Sequence, residues 1–389
     1  MSVDVSAADG LLARTAALVP MLRASAADTE AARRVSPASL DALSQAGVFR
    51  MMAPKQYGGA ETDFQTQSDV LAAIARGCPS TSWVATIYSA MAWVAGVFPD
   101  QAQDEVFAGG DPRISGVFSP TGTAVRQGSG FVVNGRWPFN TGCHGSEWTL
   151  IVALLGAGSD AMPMCLLARS RELTIVDDWY ASGMAGTGSN TVVAEHLYVP
   201  AHRAQPLPHM VEANYPPRHN SGNPYFNIPL APVLVVNAGG TPLGIARGAF
   251  ETFMERLPGR GIAYTTYTNK SEAPITHLQV GEAALKIDSA AGHVSRAAAI
   301  MDAQRVTPMT KEARVRARVH IAYATGLARE AVDTLFYASG ASSIQAQVPM
   351  QRFQRDMQGL ANHAIMHAPT ALELYGRVLC GLEPNTPLY

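Results

Sequence analysis

The sequence changes texture twice, and this double change limits the possible folds more than any single motif does. Residues 1–112 place Ala, Leu and Val at three- and four-residue spacings, as in LLARTAALVPMLRASAADTEAARR, the repeat of amphipathic helices. Ser36-Pro37 predicts a helix start and Gly47 its end. The stretch from Ser82 to Phe98 is almost free of charge, which predicts a helix buried on every side. From Pro112 the turn clusters SPTGT, RQGSG, VNGR, NTGCHG, GAGSD and GMAGTGSN alternate with short β-rich runs. This pattern predicts an antiparallel β-domain that ends near Val199-Pro200, with a tight turn at Asn134-Gly135. A loop rich in Pro, His and Asn over 206–229 follows, and then long helical stretches suited to a bundle. The expected architecture is α+β and mostly α. It comprises an N-terminal helical domain (1–112), a middle β-domain (113–229) and a C-terminal four-helix bundle (230–389).

Composition removes several function classes. A 47% hydrophobic and 15% charged chain is too apolar for a disordered segment. A net charge of −2 gives no cationic surplus for a nucleic-acid backbone, so no nucleic-acid partner is expected. No run of eighteen apolar residues occurs, so no membrane span is expected, and the N-terminus lacks the order of a secretory signal. Cys78, Cys143, Cys165 and Cys380 form no CxxC pair. They read as reduced thiols of a cytoplasmic protein rather than as a zinc site or a disulfide framework. There is no GxSxG, HExxH or GxxxxGK[ST], and Gly183–Gly188 (GMAGTG) lacks the spacing of a dinucleotide fingerprint. The ten histidines do not cluster with carboxylates at ligand spacing, so no metal site is expected.

Three segments remain that could carry chemistry. Gly135–Gly142 (GRWPFNTG) combines aromatics, a rigid Pro and a small hydroxyl residue, which can wall a flat ring and place donors at its edge. Taken alone, it reads more readily as a β-turn whose Trp137 and Phe139 pack in the core. Gly186–Asn190 (GTGSN) offers amides and hydroxyls in a Gly-rich turn, suited to an anion, or is an ordinary connection between strands. In the third, RFQRDMQGLANHAIMH, His363 and His367 are four residues apart and would share one helix face. With no acidic partner in the motif, proton transfer is favoured over metal binding.

Taken together and in order, these segments resemble the flavin-dependent monooxygenases built on the acyl-CoA dehydrogenase fold. These are the oxygenase components of two-component systems, such as 4-hydroxyphenylacetate hydroxylase and the secosteroid hydroxylase. The resemblance covers nearly the whole chain. It rests on Ala53–Gly59 (APKQYGG), Cys78–Trp83 (CPSTSW), Gly135–Gly142, Gly186–Ser189 with Val199-Pro200, and Arg355-Asp356 with His363 and Tyr375-Gly376.

The resemblance implies reduced FMN or FAD supplied by a separate flavin reductase, and O2 activated as a C4a-hydroperoxyflavin that hydroxylates an aromatic or polycyclic small molecule. It also implies a homotetramer. Residue by residue, it puts Trp137, Phe139, Asn140 and Thr141 at the flavin, with Thr141 near N5. Thr187 and Ser189 fall in the flavin turn, Arg260 at a flavin phosphate, and His363 at the reacting centre with Thr141. Met91, Trp93 and His367 fall to the substrate. Ala364 stands where the acyl-CoA dehydrogenases often carry a carboxylate base, and a methyl cannot take a proton. Met91 stands where phenol-hydroxylating relatives carry a histidine, which points to a larger or more apolar substrate. N-oxygenation of an amino substrate such as an amino sugar, acyl-CoA dehydrogenation, and a non-catalytic scaffold remain as alternatives.

Overall fold

The computed structural model describes residues 5–303 and 308–389. Helices α1 (Val5–Ala17), α2 (Val19–Ala31), α3 (Pro37–Ala46), α4 (Phe64–Gly77), α5 (Pro79–Ala95) and α6 (Asp100–Phe107) precede the strands. Their ends follow local chemistry. The Ser36 side chain accepts the Ser39 N–H at the start of α3, and Gly47 closes that helix in the left-handed conformation. Helix α5 is buried over almost all its length, as its missing charges require.

The strands are β1 (Ile114–Gly116), β2 (Gly122–Gln127), β3 (Gly130–Trp137), β4 (Trp148–Leu155), β5 (Met162–Arg169), β6 (Thr174–Val176), β7 (Thr191–Pro200) and β8 (Ala204–Pro206). They form one sheet in the order β6-β7-β3-β2-β4-β5-β8, with β1 beside β4. The sheet is mixed rather than wholly antiparallel, because β4 pairs parallel with both β1 and β2. Strand β3 turns back on β2 and gives its other edge to β7, so β4 meets β2 running the same way. The tight turn expected at Asn134-Gly135 is a bulge inside β3, where the register with β7 shifts. Asn134 Oδ1 accepts the His196 N–H across that bulge. The chain reverses instead at Gly128, which has φ +57°.

The remaining helices are α7 (Leu207–Val211), α8 (Leu230–Ala238), α9 (Gly240–Arg256), α10 (Pro274–Ala303), α11 (Lys311–Ser339), α12 (Pro349–Ala361) and α13 (Ala368–Leu379). One continuous apolar core joins the N-terminal helices to the bundle, from Leu11 to Met366. A second cluster fills the sheet around Trp137, Ile151 and Leu166. The loop over 206–229 is packed rather than splayed over the surface. Tyr225 and Phe226 are buried, and the Arg218 guanidinium donates to the Phe226 carbonyl at 2.6 Å.

Helices α4 and α9 cross closely because Gly240, Gly244 and Gly248 lie against Ser68, Ala72 and Arg76. A Cβ on Gly244 would overlap the Ala72 carbonyl oxygen. The substitution Gly244→Ala is therefore expected to cost about 1–3 kcal/mol in urea unfolding. An unchanged midpoint would show that the two helices can separate freely.

Candidate active site

Two loops converge at the end of the sheet. The segment after β3 and the segment before β7 are laced by backbone bonds: Asn140 N–H to the Asn190 carbonyl at 3.1 Å, and Gly142 N–H to the Thr187 carbonyl at 3.0 Å. This lacing brings the Thr141 and Ser189 hydroxyls to 2.8 Å and those of Ser189 and Thr187 to 2.6 Å. All three residues are buried, and Thr141 keeps only 5% of its surface. Asn140 is fully enclosed, and neither atom of its side-chain amide has a partner. Orphaned polar atoms of this kind mark a place where a further group completes the hydrogen bonding.

Helix α12 fixes the second loop. Met184 has φ +55°, and its N–H donates to the buried Asp356 carboxylate at 2.5 Å. Gly183 sits directly on the Arg355 carbonyl, leaving no room for a side chain. Burial raises the Asp356 pKa to about 7.

His363 follows α12 but is not on a helix. Helix α12 stops at Ala361, residues 362–367 form a turn, and Pro369 opens α13. A proline ring cannot continue a helix through that point. Because this break contains both positions, the expected shared helix face for His363 and His367 is absent. The half-exposed His367 instead caps α13, its carbonyl accepting the Ala371 N–H and the Thr370 hydroxyl. The His363 ring lies edge-on to Trp83 of α5, with ring centroids 5.1 Å apart. It remains open to solvent on one side, yet protein crowding disfavours the imidazolium and lowers its pKa to about 4. Nδ1 accepts a long 3.4 Å bond from the Ile365 N–H, which leaves the ring proton on Nε2.

The other candidate residues separate. Trp137 has no exposed surface, and its indole N–H donates to the Val152 carbonyl at 2.7 Å. It is a core residue of the sheet and cannot face a ring. Phe139 is 69% exposed, with φ +63°, and stands edge-on to Trp179. Met91 packs against Gly116 of β1, and Trp93 is enclosed between Phe226 and Tyr215 with its N–H on the Tyr225 carbonyl. Neither offers surface to a substrate, because α5 is buried all round. Arg260 lies elsewhere, in a cavity of about 750 Å³ with Arg256, Lys270 and Ser342, and no residue of 137–142 or 183–190 lines it. Its guanidinium donates to the Ser342 hydroxyl at 2.9 Å. Burial and Arg260 together lower the Lys270 pKa. The cavity's described lining carries no carboxylate, so it suits an anion. Sequence reasoning missed Trp83, Met184 and Trp179 as site residues. Trp83 lay within a quoted motif, whereas the backbone of Met184 leaves no trace in sequence. Among the described residues no group of three or more His, Cys, Asp or Glu could hold a metal ion. Among the described residues, no helix is long and apolar enough to cross a membrane.

The family model for the acyl-CoA dehydrogenase N-terminal domain matches residues 16–107, and that for the C-terminal domain matches residues 237–368. Over 95% of its length the chain is 32% identical to the flavin-dependent monooxygenase oxygenase subunit HsaA of Rhodococcus jostii (strain RHA1), covering 98% of that protein. The chain belongs to the flavin-dependent monooxygenases of the acyl-CoA dehydrogenase fold. This monooxygenase is also 29% identical to the FADH(2)-dependent resorcinol hydroxylase oxygenase component of Rhizobium sp. (strain MTP-10005), covering 96% of this chain and 95% of that one. The structure of XiaF from Streptomyces sp. in complex with FADH2 and glycerol matches it with a TM-score of 0.91 at 32% identity, over 98% of each chain.

The residues present fit a flavin. The unpartnered Asn140 amide and the hydroxyl row at Thr141 offer hydrogen bonds to a ring edge, and the cationic Arg260 cavity suits a phosphate. The His363 shift also has a consequence in solution. An unfolded imidazole titrates near 6.5, so below that pH the unfolded chain takes up a proton that the folded site refuses until about 4. Stability contributed by neutral His363 is present above pH 6.5 and is lost as pH falls toward 4. An NMR titration of the His363 ring is expected to give a midpoint below 5. A midpoint near 6.5 would mean that the crowding has no electrostatic effect.

Proposed function

We propose that this monooxygenase takes reduced FMN or FAD from a separate flavin reductase and hydroxylates an aromatic or polycyclic small molecule. The observation that carries this reading is the meeting of Thr141 and Ser189, from loops 48 residues apart, with their hydroxyls 2.8 Å apart beside an unpartnered Asn140. Reduced flavin, when bound, supplies two electrons, so that one atom of O2 enters the substrate and the other leaves as water. Thr141 and Asn140 would hold the ring edge, and Phe139 would wall it. Arg260 would hold the phosphate, which FMN and FAD share. Thr187 and Ser189 support Thr141 from behind.

At neutral pH His363 has no second proton to give, because its pKa is lowered to about 4. Its role is to donate Nε2–H to an oxygen of the substrate and orient the ring for attack. Trp83 packs against one side of the imidazole and helps fix its orientation. Ala364 supplies no base for removing an α-proton, which argues against acyl-CoA dehydrogenation.

The Arg260 cavity and the Thr141 loops are distinct surfaces of one chain. A homotetramer would let one subunit's Arg260 meet the flavin held by another's Thr141. Leu278, Leu285 and Tyr337, all exposed on α10 and α11, give such contacts an apolar face. Three buried free thiols suit a cytoplasmic setting.

With a flavin reductase, NADH and a panel of phenols and polycyclic phenols, the protein is expected to form hydroxylated product. NADH consumption that yields only peroxide across the panel would sink the reading. His363→Ala is expected to lower the product rate by about a hundredfold while reduced-flavin affinity stays the same. In mixed assemblies, Thr141→Val and Arg260→Ala subunits are expected to recover part of the flavin binding that each lacks alone. No recovery would show that each subunit holds its flavin unaided.

A further inference from the structure

Arg318 of α11 is a buried cation without a counter-charge. Only 8% of its surface is exposed, and among the described residues its guanidinium meets main-chain carbonyls and no carboxylate. Arg314, one helical turn earlier, has such a partner in Glu212 at 3.1 Å. Taking a guanidinium out of water is costly, and a carbonyl compensates less than a carboxylate does. What Arg318 makes in exchange is a bridge. One nitrogen donates to the Leu388 carbonyl, and the other donates to the Ala364 carbonyl at 3.4 Å.

The Ala364 end of the bridge lies in the turn that carries His363. That turn is otherwise bonded from within. The His363 N–H donates to the Leu360 carbonyl at 2.9 Å, and the Met366 N–H to the His363 carbonyl at 2.8 Å. The Ile365 N–H reaches His363 Nδ1. Among the described residues, Arg318 makes the only hydrogen bond to residues 362–367 from outside α12, the turn and α13. The Leu388 end lies in the segment after α13, which is seated on two helices. Glu383 pairs with Lys311 of α11, and its carbonyl accepts from Arg377 of α13 at 3.1 Å. Asn385 donates to Glu373 of α13 at 3.0 Å, and the Leu388 side chain packs against the main core.

We infer that Arg318 is a positioning residue for His363: by bridging Ala364 to Leu388 it sets the direction of the imidazole and couples it to the seating of residues 383–388. The inference rests on the reading above, in which His363 meets the substrate. Arg318 acts through that ring alone. A guanidinium suits the task because its planar fork fixes the separation of two acceptors, which the point charge of a lysine does not. A turn released at Ala364 lets the ring swing off Trp83, and a misdirected donor loses rate without losing flavin.

The test follows the imidazole itself. NMR titration of the His363 ring, reduced-flavin affinity and product rate with the reductase are measured for the full-length protein and for Arg318→Ala, Arg318→Lys and Leu388→Ala. In Arg318→Ala the His363 midpoint is expected to rise from about 4 toward 6.5, because a ring freed from crowding regains an ordinary imidazole pKa. The product rate is expected to fall by about tenfold while reduced-flavin affinity stays the same. Millimolar guanidinium chloride is expected to bring both back toward wild type, and sodium chloride at equal ionic strength is not. Arg318→Lys keeps the charge without the fork and is expected to behave as Arg318→Ala does.

The two Arg318 variants remove the bridge with and without the charge, so either one, if folded by its thermal melt, decides the matter. An unchanged His363 midpoint overturns the inference. So does a raised midpoint in Arg318→Ala that guanidinium fails to lower, which is a general loosening. Leu388→Ala keeps the guanidinium but unseats its second acceptor, and it is expected to shift the midpoint in the same direction. No shift there overturns the coupling to residues 383–388. Wild-type protein that forms no hydroxylated product sinks the functional reading alone, because the midpoint is read without turnover.

Discussion

The contact between the loop at 182–184 and helix α12 governs the geometry of the site. Gly183 rests on the Arg355 carbonyl, and the Met184 N–H is held by a buried carboxylate. This contact ties the sheet to the bundle at one point. It holds Met184 in a left-handed conformation that a β-unbranched side chain adopts only at some cost, so the surrounding packing must maintain it. The Arg355 guanidinium also reaches the Ser182 carbonyl and pairs with Glu30 of α2, so three parts of the chain meet there.

From that anchor a row of hydrogen bonds runs to the site. The Thr187 hydroxyl donates to the Met184 carbonyl, and the hydroxyls of Ser189 and Thr141 continue the row. On the other side, α12 ends at Ala361 and delivers His363 into a turn against Trp83. One helix therefore fixes both the hydroxyl row and the imidazole. Its side-chain contacts set the first, and its C-terminal end sets the second.

Much of this was legible in advance. The helical, β and helical textures located the elements, and Ser36 and Gly47 marked a helix as their capping chemistry requires. The resemblance implied that GRWPFNTG and GTGSN lie together, and the two loops do meet through the Thr141 and Ser189 hydroxyls. Several details were not. Trp137 and Phe139 are two residues apart and share a motif, yet one is sealed in the sheet and the other stands exposed, because Phe139 takes a left-handed turn. Asn134-Gly135 has the composition of a hairpin turn, but it forms a bulge inside β3, where a Cβ on Gly135 would overlap Gly122 and Trp137. His363 and His367 have helical spacing, but α12 ends at Ala361 and both fall in the break before α13. Met91 and Trp93 lie on a helix with no free face, so nearness to the motif tryptophan in sequence gave no access to a ligand.

The sequence alone determined the order of helical and β regions, because periodicity and capping act over a few residues. It also determined which hydroxyls, amides and imidazoles were available, because residue identity fixes what each group can donate or accept. Tertiary structure decided which of those groups meet, which are sealed away, and in which direction their protons point. Those outcomes depend on contacts between residues far apart in the chain, such as Met184 with Asp356, and on burial, which no local pattern encodes.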